Sequence, residues 1–366
     1  MSGSRIRMFW RVMPPIGLAV AVAIVWLGKA ATAGTGLAVV VPLVDLVVLM
    51  SVVFAAVYHA DVIAHRTGEP YGTLVLTVAV TVIEVALILS IMLAGEGRPS
   101  LARETVFSVI MVVCNGVVGL CLVLGGLRFG EQGFRLFGTG SYLLVLMPLA
   151  TLTLILPTYT TSAPGPYYSP PQLLFVSVAT LALYTVFLYV QTVRHRDYFL
   201  SDMGGAAEDH GAPPSNRQLA ESIVLLLLGL TAVVLLAKGV SGSLESMVAA
   251  TGAPEDSVGL LVAVLVLLPE TVAALRAARR NELQKSLNLA LGSSLATIGL
   301  TIPAVSLLAI ALHQQLQLGL VMRDTVLLVL TFAVSLVTFG GGRTNILPGF
   351  VHLVLFATFV FLIFVP

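Results

Sequence analysis

The stretch Gly72–Leu93, GTLVLTVAVTVIEVALILSIML, is an apolar run with a single charge, Glu84, near its middle. Gly259–Ala278, GLLVAVLVLLPETVAALRAA, repeats the arrangement around Glu270, which directly follows Pro269. A carboxylate at membrane depth is costly, so where one occurs it marks an ion or proton path by default. One such glutamate in each half of the chain points to two half-sites that face one another.

Composition agrees with a membrane environment. Hydrophobic residues make up 58% of the 366, charged residues only 10%, and the mean hydropathy is +1.01. A soluble chain carries about 25% charged residues, so this one lacks the polar groups to cover a water-facing surface. The net charge of +1 gives no basic balance for nucleic acid. Cys114 and Cys121 lie in one apolar run, at a helical spacing too wide for a disulfide, and read as small packing residues.

Gly, Pro and charge clusters divide the chain into eleven spans. They fall near 12–29, 36–58, 71–95, 104–127, 141–157, 172–193, 218–238, 256–278, 286–311, 324–340 and 345–365. Each is near the length of about 20 residues that a helix needs to cross a bilayer. The first, with Arg5, Arg7 and Arg11 ahead of it and Ala31-Thr32-Ala33 behind, reads either as a signal peptide or as a retained anchor; its two prolines and the unbroken run of later spans favour the anchor. With the N-terminus inside, 14 of the 19 Lys and Arg residues fall in inner loops and five outside, the expected cytoplasmic bias. The C-terminus then lies outside, and the destination is the cell's inner (plasma) membrane.

The polar stretch Arg194–Gln218 between spans six and seven reads as a flexible, solvated cytoplasmic linker. The organisation is then an extra first helix (1–35), a first five-helix repeat (36–193), the linker (194–217) and a second repeat (218–366). Five crossings per repeat force the two into opposite orientation, the layout that places substrate at the midplane. Each repeat follows its glutamate helix with a charged connector and then a helix of small and polar residues, Val112–Gly126 in the first and Asn288–Pro303 in the second. Glu84 lies about 20 Å along its helix from Tyr71, at 1.5 Å per residue, and so near the bilayer centre.

Two ionised glutamates neutralise a divalent ion. Without the ion, two like charges in a low-dielectric site cannot both stay ionised, and protons take their place. Metal and protons thus compete for the same oxygens, which yields exchange. Pro269 removes a backbone donor beside Glu270 and is expected to open the helix there, offering carbonyl oxygens as further ligands.

The chain resembles the calcium/proton exchangers of the cation/Ca²⁺ antiporter superfamily, and within them the bacterial ChaA-type calcium/sodium:proton antiporters. Gly68–Leu87, GEPYGTLVLTVAVTVIEVAL, is similar to the first α-repeat (about 68–125), and Leu267–Pro303, with its SLNLALGSS run, to the second (about 258–305). The resemblance implies that Glu84 and Glu270 are the cation- and proton-carrying residues. It places Asn115, Ser293 and Ser294 in the helices that line the site. It implies a secondary antiporter rather than an enzyme, with Ca²⁺, Na⁺ or K⁺ and H⁺ as cargo and no cofactor. The chain departs from the family pattern at Thr81 (often Asn), at Leu268 and Pro269, and at Ala296 or Thr297 (usually Gln). Fewer amide oxygens are left for a Ca²⁺ shell, which opens the site to Na⁺ or K⁺.

Other polar residues have milder readings. Thr73, Thr77 and Thr81 share a face of span three, with Thr81 one turn before Glu84. Asp45, within span two, is either a third acid on the path or a local hydrogen-bond acceptor. His59, Asp61 and His65 read as a solvated interfacial cluster, Glu69 as a residue at the mouth of span three, and His352 as a satisfied core histidine. Gly340–Arg343 reads as a tight turn, not a phosphate loop. Two other functions compete with antiport. A passive channel needs no proton coupling, and an intramembrane metalloenzyme needs paired ligands at metal spacing, which the spans lack.

Overall fold

The computed structural model describes residues 3–27, 37–68, 71–94, 99–199 and 214–366. Eleven long helices appear among them. They are α1 (Gly3–Leu27), α2 (Leu37–Thr67), α3 (Tyr71–Ala94), α4 (Leu101–Phe129), α5 (Leu136–Tyr159) and α6 (Pro170–Arg194). After the linker come α7 (Asn216–Thr251), α8 (Ser257–Arg279), α9 (Leu283–Ala311), α10 (Met322–Phe339) and α11 (Ile346–Phe364). Among residues whose side chains are described, nine helices are long and apolar enough to cross a membrane. The chain is an all-α, multi-pass membrane protein, with α2–α6 and α7–α11 as two five-helix repeats after an extra first helix.

Each helix end has a local cause. Gly68 and Gly130, at φ 67° and 77°, close α2 and α4 in a conformation that Cβ-bearing residues avoid. Ser169 and Gln172 box the start of α6, and Ser215 and Gln218 that of α7. The sequence places the end of span seven at 238, but α7 runs on through 251. Its Gly and Ser residues there are tolerated in a helix, and the break comes only at Gly252 (φ 66°) ahead of Pro254. Likewise α2 extends past 58, so His59, Asp61 and His65 lie on the helix itself.

The helices fall into two compact units. The first holds α1, α2, α3 and α7. Small residues bring its helices close: Gly17 of α1 faces Val52, and a Cβ on Gly229 of α7 would sit 3.4 Å from Ala56 of α2. At one end Arg11 Nε pairs with Glu221 Oε1 at 2.7 Å and Arg66 donates to Asn216 Oδ1 at 2.9 Å. His59 is buried there, with its ring nitrogens 3.2 Å from Ser222 Oγ and from the Trp10 carbonyl. The solvated-cluster reading therefore holds for the exposed Asp61 and His65 but not for His59.

The second unit holds α4–α6 and α8–α11. The apolar window of α4 is 94% buried and that of α9 67%, against 33% for α6 and 28% for α11. So α4 and α9 are the central pair, while α6 and α11 turn most of their surface to lipid. At one end a short antiparallel ladder pairs Gln132 with Thr344 and Gly133 with Arg343, tying the α4–α5 loop to the α10–α11 loop. The same end carries the start of α9, where Gln132 Nε2 donates to Asn281 Oδ1 (2.8 Å) and Gln284 Oε1 accepts from the Arg135 backbone (2.7 Å). The end of α6 lies there too, since Asn288 Nδ2 donates to the Phe199 carbonyl and Arg135 Nη1 to that of Asp197, both at 2.6 Å. The linker's first turn, Arg196–Phe199, is thus anchored rather than free; most of the remaining linker, with Asp202, Glu208, Asp209 and His210, lies outside the described residues. So do Glu69 and the Ala31–Ala33 run.

At the opposite end Gln317 N donates to Pro99 O, Leu320 N to Leu154 O, and Arg323 Nη1 to Leu362 O. These two sets of links fix directions. Helices α4 and α9 run oppositely, as do α5 and α10, and α6 and α11. Those are the pairs an inverted repeat requires.

Candidate cation-binding site

In the first unit, Glu84 sits in the fourth turn of α3 and is only 2% exposed; Thr81, one turn earlier, is also buried. Asp45 of α2 is buried as well, and its Oδ1 has no hydrogen-bond partner among the described residues. The side chains of Thr73 and Thr77 lie outside the described residues.

In the second unit, α8 carries Glu270 mid-helix. Its Oε2 is buried and has no hydrogen-bond partner among the described residues. Pro269 is buried, and the helix passes through it without opening. The proline's effect is narrower than the sequence suggests: the Leu265 carbonyl, four residues back, loses its usual N–H donor. The irregular backbone lies elsewhere. Both central helices carry a π-helical turn near mid-helix, Val112–Val117 in α4 and Thr297–Thr301 in α9, while those of α5 and α6, Thr151–Ile155 and Val190–Arg194, fall toward the helix ends. They are the corresponding small, polar helices of the two repeats. A π turn widens the helix and breaks the regular run of carbonyl bonds, and such turns concentrate at functional sites.

The buried hydroxyls differ in how they are satisfied. In α5 and α6, Thr153, Ser177 and Thr180 donate back to carbonyls four residues earlier, at 2.7–2.8 Å, the usual way to satisfy a buried hydroxyl. On α9, Ser294, Thr301 and Ser306 are buried, yet their hydroxyls have no partner among the described residues. The same holds for Thr105 of α4, Thr139 of α5 and Ser335 of α10. Ser293 is half-buried. The first part of α9, Leu283–Ala296, packs directly against α8, which sets Ser294 on the segment adjoining the Glu270 helix; the part carrying Thr301 and Ser306 packs against α6. Sequence reading missed Thr301 and Ser306, because type and spacing do not show which hydroxyls bond to their own helix. Among the described residues no three His, Cys, Asp or Glu side chains converge as a ligand set. Hydroxyl and carbonyl oxygens would have to supplement the carboxylates around any bound ion.

Asn115, in the π turn of α4, is committed to a network. Its Nδ2 donates to Thr331 Oγ1 at 2.9 Å, and its Oδ1 lies 3.0 Å from His352 Nδ1. Thr338 Oγ1 is 3.0 Å from His352 Nε2. Asn115 Oδ1 can only accept, so a proton sits on His352 Nδ1. The residue is a fully buried, satisfied histidine whose polar partners here are uncharged. Replacing His352 with Leu strands Asn115 Oδ1 and Thr338 Oγ1, at about 1–3 kcal/mol per orphaned group. The thermal unfolding midpoint in detergent should drop by several degrees, while Thr358→Val, an exposed hydroxyl on the same helix, should leave it in place.

The comparisons with known proteins agree with this architecture. The sequence profile of the family described as sodium/calcium exchanger protein matches residues 34–193 and 221–365. The y4hA protein of Sinorhizobium fredii is 46% identical over 333 residues, covering 90% of this chain and 89% of its own. The sodium-potassium/proton antiporter ChaA of Escherichia coli is 39% identical over 330 residues, 89% of each chain. The solved structure of native YfkE matches with a TM-score of 0.74 at 15% identity, over 98% of this chain and 100% of its own.

Proposed function

This chain belongs to the sodium/calcium exchanger protein family, and from that premise we propose that it is a secondary antiporter. It exports Na⁺ and/or Ca²⁺, with K⁺ as a further substrate, from the cytoplasm in exchange for H⁺. The N-terminus lies inside and the C-terminus outside, following the arginine bias of the loops. Glu84 and Glu270 bind cation and protons in alternation. Thr81, Asp45, Asn115, Pro269, Ser293 and Ser294 line or shape the route.

The observation that carries this reading is the buried Glu270 oxygen with no hydrogen-bond partner among the described residues. A carboxylate oxygen left unpaired at membrane depth is costly to maintain, and a proton or a cation relieves that cost equally well. Glu84, the counterpart of Glu270 in the other repeat, is buried as well. The 39% identity to a sodium-potassium/proton antiporter adds weight to monovalent cargo. So does the residue set, since Thr81 and Pro269 stand where amide-bearing neighbours would help complete a Ca²⁺ shell of about 6–8 oxygens.

The test is proton release from the purified protein in proteoliposomes as Na⁺, K⁺ or Ca²⁺ is added across a pH series. Cation affinity should strengthen with rising pH, by about tenfold per unit for each proton displaced, until the carboxylates are fully ionised. Below that range protons hold the site and the cation fails to load. Cation flux that is independent of pH and moves no protons would instead identify a channel.

A further inference from the structure

The last turns of α4 and α8 meet in an open groove that neither the carboxylates nor the exchange reaction explains. It has a volume of about 480 Å³ and is lined by Arg128, Phe129, Arg276, Arg279 and Arg280. All five residues belong to the second unit. The four arginines are exposed, and among the described residues no carboxylate lies within 4 Å of any of them. Glu282, nearby in the chain, pairs with Lys285 instead, at 3.8 Å. The negative ends of two helix dipoles offset only about half a charge each, which leaves the groove near +3. Four guanidinium groups around one cavity repel one another unless an anion sits between them.

The shape of the charge narrows the ligand. Guanidinium forks match phosphate oxygens bidentately, which an array of ammonium groups does not. The groove lies where the spans end, at headgroup level. Phe129 forms part of its wall and is 37% exposed, and Leu127 beside it is 68% exposed. A soluble anion has no use for that apolar rim, whereas acyl chains cover it. We propose that the groove is a binding site for the phosphate headgroup of an anionic membrane phospholipid. Arg276 lies six residues beyond Glu270, about 9 Å along α8. A bound headgroup therefore holds the end of the helix that carries the site carboxylate.

Native mass spectrometry of the full-length protein tests this with phosphatidylglycerol and phosphatidylcholine titrated in parallel. Phosphatidylglycerol should be retained. The Arg276→Gln/Arg280→Gln variant should bind it roughly 25-fold more weakly, at about fivefold per arginine lost near a headgroup. The Arg194→Gln/Arg196→Gln variant removes the same charge from another loop and should change binding less than twofold. Arg128→Gln alone, at about a fivefold loss, serves if the double variant does not fold. Equal losses in the two double variants, or equal retention of phosphatidylcholine, would reduce the groove to diffuse surface charge and overturn the proposal. A third arm uses millimolar inorganic phosphate. If phosphate displaces the lipid with the same arginine dependence, the site belongs to a soluble anion and the lipid assignment fails.

Discussion

Glu270→Gln should abolish proton-coupled cation flux in proteoliposomes, and Glu84→Gln should do the same. Glutamine keeps the shape and one oxygen but loses both the charge that draws a cation and the group that takes up a proton. In oxygen-ligated sites, ligand charge spans decades of affinity, so a loss of roughly a hundredfold or more is expected. The fold should survive, because a neutral amide is cheaper at membrane depth than a carboxylate. Folded yield and unfolding temperature should therefore match or exceed those of the parent protein. That combination separates a transport defect from a folding defect. Coupled flux persisting in either variant would remove that glutamate from the mechanism.

Gly349→Val should have the largest effect on folding. A Cβ added at Gly349 would stand 2.8 Å from the backbone nitrogen of Val123 and 3.0 Å from the Gly119 carbonyl oxygen. These are main-chain atoms of α4, the most buried span, and they cannot rotate aside. Gly126 makes the same kind of approach one layer further on, where an added Cβ would lie 2.9 Å from Ile346 N. This central-to-peripheral crossing of α4 and α11 exists because glycine lets the helices touch. A branched side chain forces α4 and α11 apart and pulls at the Asn115–His352 hydrogen bond one turn beyond. The expected cost is on the order of 3 kcal/mol or more, read as loss of the monodisperse peak in size-exclusion chromatography. Gly140→Val, at a position where nothing lies within 4 Å, should behave like the parent.

Much of the architecture was legible because the bilayer is a simple solvent. Long apolar runs bounded by Arg, Gly and Pro have one stable form in it, and each of the eleven expected spans coincides with a helix among the described residues. What failed were features set by packing rather than by composition. The tail of α7 reads as a loop from its glycines and serines, yet nothing in it breaks a helix before Gly252. His59 reads as interfacial, but Trp10 and Ser222, 49 and 163 residues away in sequence, bury it. At the site, the glutamates stand out because a lone charge in an apolar run is conspicuous. The π turns of α4 and α9 leave no such mark. Whether a hydroxyl such as Thr301 bonds to its own helix or stands free depends on one side-chain torsion, χ1, more than on residue type.

The central pair α4 and α9 has a consequence for how such a molecule changes state. The two helices are related copies set head to tail, each with the same widened turn at its middle. Any shape that one copy takes up toward the cytoplasm is therefore open to its counterpart toward the exterior. If the copies exchange shapes, the result is a form related by a two-fold rotation in the membrane plane, which opens the other way at little energetic difference. The direction of net movement is then left to the gradients across the bilayer rather than to a preference stored in the protein.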